Sequence, residues 1–159
     1  MSKNTPKSSL PDVKQMRVGI VRAEWNGEIT SRLVESALRV LKAHGVADDD
    51  INVFDVPGAV ELTFGASQLI ESGLFDVVIV FGCVVRGGTP HFEYVCQSVT
   101  QGIAFLNSDC DIPVIFGVLT VNDEQDAIDR VGGKCGDKGA EAAEAAIKMH
   151  HFNATLREM

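Results

Sequence analysis

The chain has 159 residues, enough for one ordinary domain, with 45% hydrophobic and 23% charged residues; a disordered chain would carry fewer apolar residues and more charge. Fourteen Lys and Arg against 22 Asp and Glu leave a net charge of -8, the wrong balance for a protein that must neutralise nucleic-acid phosphates. The longest apolar stretch, 77–85, is nine residues including Gly82, far short of the ~20 that span a bilayer.

Residues 1–15 read as a flexible arm. They are polar, with no apolar core of a signal peptide, so a cytoplasmic location is expected. Pro6 and Pro11 each remove a backbone donor and limit strand pairing there. From about Met16 the chain alternates, and 16–159 read as one domain. Short β-branched runs at 17–22, 51–56, 77–82 and 114–119 predict strands. A helical stripe follows each. Ile29, Leu33, Val34, Ala37, Leu38 and Leu41 form the first, stopped by Gly45; Leu62, Ala66, Leu69 and Ile70 form the second, ending at Ser72-Gly73. Phe92, Val95, Cys96, Val99, Ile103 and Leu106 form the third, ending near Asn107. A shorter helix is predicted near 123–131, and an Ala-rich one over about 138–155. Strand and helix in alternation imply an α/β fold: a single-domain, three-layer α/β/α arrangement around a four-stranded parallel sheet. Strands three and four are apolar throughout, as strands covered on both faces should be.

In such a sheet, ligands bind beyond the carboxyl ends of the strands. The first turn holds the sole Trp, Trp25, which suits either core packing or stacking on a planar ligand. Asn26 beside it suits a helix cap. The third turn, Arg86-Gly87-Gly88-Thr89-Pro90-His91-Phe92-Glu93, is the densest. Its glycines permit close backbone approach, Thr89 and the free amides at the helix start suit an anion, and His91 lies within reach of it. A helix cap followed by a surface His is the alternative. Neither GxxxxGK[ST] nor GxGxxG is present, so no P-loop or dinucleotide fold is supported. The segment 129–139 has four glycines and three cations, which suit anion binding or a tight turn with solvated lysines. Cys83, Cys96, Cys110 and Cys135 form no CxxC pair, and adjacent His150 and His151 point in different directions on a helix, so no metal site is expected.

Taken together, Trp25-Asn26, the run 56–61 (Val-Pro-Gly-Ala-Val-Glu), the run 82–92, Phe116-Gly117-Val118-Leu119-Thr120 and the run 132–139 resemble the 6,7-dimethyl-8-ribityllumazine synthase family, over about Met16 to the C-terminus. The resemblance implies a flavodoxin-like strand order. It also implies the penultimate step of riboflavin synthesis: condensation of 5-amino-6-ribitylamino-uracil with 3,4-dihydroxy-2-butanone 4-phosphate, with no metal or organic cofactor. It assigns Trp25 to the heterocycle face and the backbone of Cys83, Val84 and Val85 to the uracil edge. Asn26, Ala59, Val60 and Glu61 fall to the ribityl chain and ring, and Gly88, Thr89 and Arg130 to the phosphate. His91 becomes the acid/base residue; an unperturbed imidazole titrates near pH ~6.5. Phe116, Arg130 and Lys138 are implied to come from an adjacent subunit. The partners implied are the two small-molecule substrates and further copies of the chain, in pentamers and a hollow icosahedral shell of about sixty chains. Pro90 and Asp137 depart from the commonest family residues without removing an assigned contact. A flavin-binding or cargo-holding shell with little turnover is the alternative; His91, Arg130 and Thr89 together favour the enzyme.

Overall fold

The computed structural model describes residues 9–11, 13 and 15–159. Elements follow in the order β1 (Val18–Ala23), α1 (Gly27–Ala43), β2 (Ile51–Val56), α2 (Leu62–Ser72), β3 (Val77–Val85), α3 (His91–Asp109), β4 (Val114–Val121), α4 (Glu124–Ile128), β5 (Val131–Gly133), β6 (Gly136–Asp137) and α5 (Lys138–Arg157). The main sheet is parallel throughout, in the order β2-β1-β3-β4, as the alternating pattern predicts. β3 is central and its first seven residues are buried, which explains a run with no polar alternation.

Helices cover both faces. On one, Leu33, Ala37 and Leu41 of α1 and Ala143, Ala146 and Ile147 of α5 pack on Ile20, Ile79 and Phe81. On the other, Leu62 and Ala66 of α2 and Val99 and Ile103 of α3 pack on Val21, Val78 and Val80. Successive strand residues thus divide between two cores, the consequence of period-two alternation. Each fully buried Leu or Ile contributes roughly 1.5–3 kcal/mol. Residues 1–8, 12 and 14 of the expected arm, with Pro6, lie outside the described residues. Core contacts begin upstream of Met16: Val13 is buried, its N–H donates to His44 O at 3.0 Å, and Leu10 packs on the α1/α5 core.

The structure departs from the sequence reading at strand ends, one helix end and one connection. β3 continues past Gly82 to Val85, β4 continues past Leu119 to Val121, and the helix expected near 123–131 is the shorter α4, with Val131 in a strand. The segment joining the last two helices is a small antiparallel hairpin, β5-β6, with Gly132 and Gly136 both at positive φ. It is held from outside, since Arg32 Nη2 donates to Val131 O at 3.0 Å. Asp137 then caps α5, accepting from the Ala140 N–H at 3.2 Å.

α5 closes on α1 through small residues. A Cβ at Gly139 would stand 2.2 Å from Leu33 O and 2.9 Å from Leu33 Cα, contacts that only movement of one helix can relieve. Gly139→Ala should therefore destabilise the chain by about 3 kcal/mol, at the upper end of overpacking effects. Urea unfolding measures this, and a variant as stable as the parent would show that the seam yields freely.

Candidate active site

The site begins with a mismatch in strand length. β1 pairs with β3 only as far as Arg22 opposite Phe81, whereas β4 pairs with β3 up to Val121 opposite Val85. Gly82–Val85 are therefore held by β4 on one side and, among the described residues, have no ladder partner on the other. A backbone edge of this kind needs hydrogen bonds from elsewhere.

The turn after β1 supplies one of them. Asn26 Nδ2 donates to Cys83 O at 2.7 Å. Asn26 occupies the N-cap position of α1, but its side chain does not cap the helix; its backbone is left-handed, at φ 56 and ψ 46. Asn tolerates this region better than most side chains. Trp25 precedes it, anchored by its N–H to Pro57 O at 3.1 Å, while Glu24 N–H reaches Val56 O at 2.8 Å. Trp25 is 75% exposed, so it is not a core residue. Gly58 runs beneath it: a Cβ there would lie 3.4 Å from Trp25 Cδ1 and 3.3 Å from Glu61 Oε2.

A cavity of about 500 Å³ opens at this end of the sheet, within the range of small-molecule sites. Trp25, Asn26 and Gly58 form one wall. Ala59, Val60 and Glu61, a 3-10 turn leading into α2, form the second. The strand end of Cys83, Val84 and Val85 forms the floor, and His91 with Val95 of α3 closes it. Burial, with a smaller contribution from Glu124, pushes the Cys83 thiol up to about 11, so at neutral pH it is a protonated thiol, not a nucleophile. Gly58 and Val95 are lining residues that the sequence reading did not assign. Gly58 contributes space instead of a functional group, and Val95 is indistinguishable in sequence from the rest of the α3 stripe.

Gly88 and Thr89 lie in the exposed loop just before His91, outside the cavity wall. Phe116, Arg130 and Lys138 do not line the cavity. Phe116 is 41% exposed on β4. Arg130 Nη1 donates to Asp126 O at 2.6 Å, and Lys138 Nζ pairs with Glu141 at 2.7 Å. A backbone hydrogen bond joins the two residues, Lys138 N–H to Arg130 O at 2.9 Å. A wider groove of about 800 Å³ lies between α1 and the hairpin; in it Ser36 donates to Asp137 at 2.7 Å, and Arg39 reaches both. Among the described residues no cluster of His, Cys, Asp and Glu could hold a metal ion, and no helix is long and apolar enough to cross a membrane.

An aromatic face, an open strand edge and an imidazole around one cavity at the carboxyl ends of the strands fit the class of α/β proteins that take a small molecule there. Comparison with known proteins narrows the class. The family model for 6,7-dimethyl-8-ribityllumazine synthase matches residues 15–154. Proteins named 6,7-dimethyl-8-ribityllumazine synthase include one from Phocaeicola vulgatus, 54% identical over 95% of this chain and 90% of the relative. One from Parabacteroides distasonis is 56% identical over 92% of each, and one from Bacteroides fragilis is 53% identical over 90% of this chain and all of the relative. The chain belongs to the 6,7-dimethyl-8-ribityllumazine synthase family, enzymes of riboflavin biosynthesis.

The two roles of Asn26 can be separated. Asn26→Gly keeps the left-handed backbone and loses the amide, whereas Asn26→Ala loses both. The Ala variant should be the less stable by about 1 kcal/mol in urea unfolding. Both should raise KM for the pyrimidine substrate, because Cys83 O is left without its donor. Equal stabilities would remove the backbone role, and an unchanged KM in both would remove the amide role.

Proposed function

We propose that this cavity condenses 5-amino-6-ribitylamino-uracil with 3,4-dihydroxy-2-butanone 4-phosphate, and that each complete site is shared between two subunits in the cytoplasm. The observation that carries the reading is the joint placement of Trp25, the open edge of Cys83–Val85 and His91 around one cavity.

In this reading the pyrimidine lies against Trp25 with its polar edge on the strand end. Ala59, Val60 and Glu61 hold the ribityl chain, Glu61 accepting from hydroxyls. The second substrate places its phosphate at Gly88, Thr89 and the first amides of α3, where the helix dipole favours an anion. Imine formation between the ring amine and the ketone releases water, elimination releases phosphate, and ring closure releases a second water. Each step moves a proton, and His91, at the first position of α3, stands where it can take and return one. Much of the acceleration comes from holding a nucleophilic diamine beside an electrophilic ketone.

Arg130 supplies a guanidinium fork suited to phosphate oxygens. In its own subunit that fork is turned to Asp126 and does not reach the cavity, so Arg130, Lys138 and Phe116 are assigned to the neighbour's site. Exposed Phe64, Tyr94 and Phe105 on α2 and α3 supply apolar surface for that contact. Contacts that hand residues from one subunit to the next can close into a ring; rings of five, and a hollow shell of such rings, are the assemblies proposed. At -8 per chain, the shell needs salt to screen its self-repulsion, over about 8 Å at physiological ionic strength.

His91→Ala should lower turnover by about a hundredfold without abolishing it, and Arg130→Ala should chiefly raise KM for the phosphorylated ketone. Each variant alone is impaired, but mixed and reassembled subunits should regain activity, since roughly a quarter of shared sites then carry both intact groups. No recovery on mixing, or a monomer by native mass measurement, contradicts the shared site.

Trp25 should stack on the bound heterocycle, so its emission, unmasked by any other Trp, should be quenched by lumazine or oxidised flavin. An unchanged spectrum at saturating ligand would refute stacking.

A further inference from the structure

The loop carrying the proposed phosphate site is exposed along its length. Gly87, Gly88, Thr89 and Pro90 are all exposed, and a Cβ at either glycine would meet nothing within 4 Å. Yet a phosphate site of backbone amides works only if those amides are already aimed.

Arg86 stands at the entry to this loop and reaches across it. Its own N–H donates to Val121 O at 2.9 Å, and its Nε donates to Asn122 Oδ1 at 3.0 Å, so the end of β4 fixes both its backbone and its side chain. Its Nη1 donates to Glu93 Oε1 in the first turn of α3. Its guanidinium lies over the Phe92 ring, 4.2 Å from the centroid. One planar group thus joins the end of β3, the end of β4 and the start of α3, with the glycine loop as the slack between. The Arg86 hydrogen bond holds the Glu93 carboxyl below the usual glutamate range.

We infer that Arg86 is a positioning residue: it straps the start of α3 to the strand ends and so sets the loop amides and His91 for the phosphorylated substrate, without touching substrate itself. The inference rests on the phosphate placement proposed above. An isolated exposed ion pair contributes little. The arrangement here differs because three partners on two elements share one rigid fork, which a lysine cannot reproduce. A strap of this kind acts on one substrate only. The pyrimidine wall of Trp25, Gly58 and the 3-10 turn is built without it.

The test uses the full-length protein with Arg86→Ala, Arg86→Lys, Glu93→Gln and the Arg86→Ala/Glu93→Gln pair. Inorganic phosphate serves as the probe, through its competition with the phosphorylated ketone. Arg86→Ala should raise both KM for that substrate and the phosphate inhibition constant by about tenfold. KM for the pyrimidine and the quenching of Trp25 should stay within about twofold. Arg86→Lys should resemble the Ala variant, and the double variant should be no worse than Arg86→Ala, the sign of a single coupled unit. A merely structural role would move both KM values together, and that result, or an unchanged phosphate inhibition constant in Arg86→Ala and Arg86→Lys, overturns the inference. Failure of phosphate to compete in the parent protein instead overturns the phosphate placement itself, and the strap with it.

Discussion

The functional end of the molecule depends on β3 outrunning β1. A central strand paired equally on both sides would present no backbone to a ligand. Here β4 continues to support Gly82–Val85 after β1 has turned away at Ala23. The strand end is therefore rigid, because one ladder and the buried face beneath it hold it, and yet open on its other edge. The turn after β1 must then rise beside that edge, which brings Trp25 and Asn26 over it. Asn26 returns one hydrogen bond to the exposed edge, at Cys83 O, and takes a left-handed backbone to do so. Strain of this sort persists only where the surroundings over-determine it. The Trp25 N–H to Pro57 O bond and the first turn of α1 provide that determination.

The strands were legible because β-branched runs bounded by turns have few other readings. β2 begins and ends where its run does. β3 is longer than its local signal, since Gly82 weakens a strand taken by itself; the pairing with β4 that carries it to Val85 is a contact between distant residues. The β5-β6 hairpin is invisible for a similar reason. Its glycines signal a turn correctly, but the side chain that pins it, Arg32, lies about a hundred positions earlier in the chain. At the site, the wall residues were legible through motif order and the rule that ligands sit at strand ends. The partner of Asn26 was not, because a cap and a cross-strand brace use the same amide. Nor could the sequence distinguish Val95, facing the cavity, from Val99, which is fully buried: four residues apart on α3, both apolar, they differ only in what lies opposite.

Arg86 shows how the sparsely packed part of the site can still be ordered. The two glycines that would let the loop amides approach an anion also leave Gly87 and Gly88 without side chains that could fix them. Order has to be imposed at the ends of the loop. The sequence has the means within eight residues, Arg86 and Glu93 flanking Gly-Gly-Thr-Pro, but the third anchor, Asn122, arrives only through the β3-β4 register. On the proposed role of Arg86, sheet register would reach the start of α3 through one guanidinium.

Stacking and subunit sharing are not independent proposals. Trp25 is three-quarters exposed on a lone chain, so a heterocycle laid on it would keep water along much of its edge. Interactions between ring faces, and between a guanidinium and phosphate, strengthen when water is excluded. The residues of this chain alone build a platform with an open roof. In the proposed shared site, Arg130 and Lys138, which flank the β5-β6 hairpin and pair with carboxylates of their own chain, would be the missing cationic side. A neighbour that brings them to the cavity also covers the exposed indole. The same contact that supplies the phosphate fork therefore lowers the local dielectric in which the fork, the loop amides and His91 operate, and an assembly defect should weaken both substrates at once, where loss of Arg130 alone weakens one.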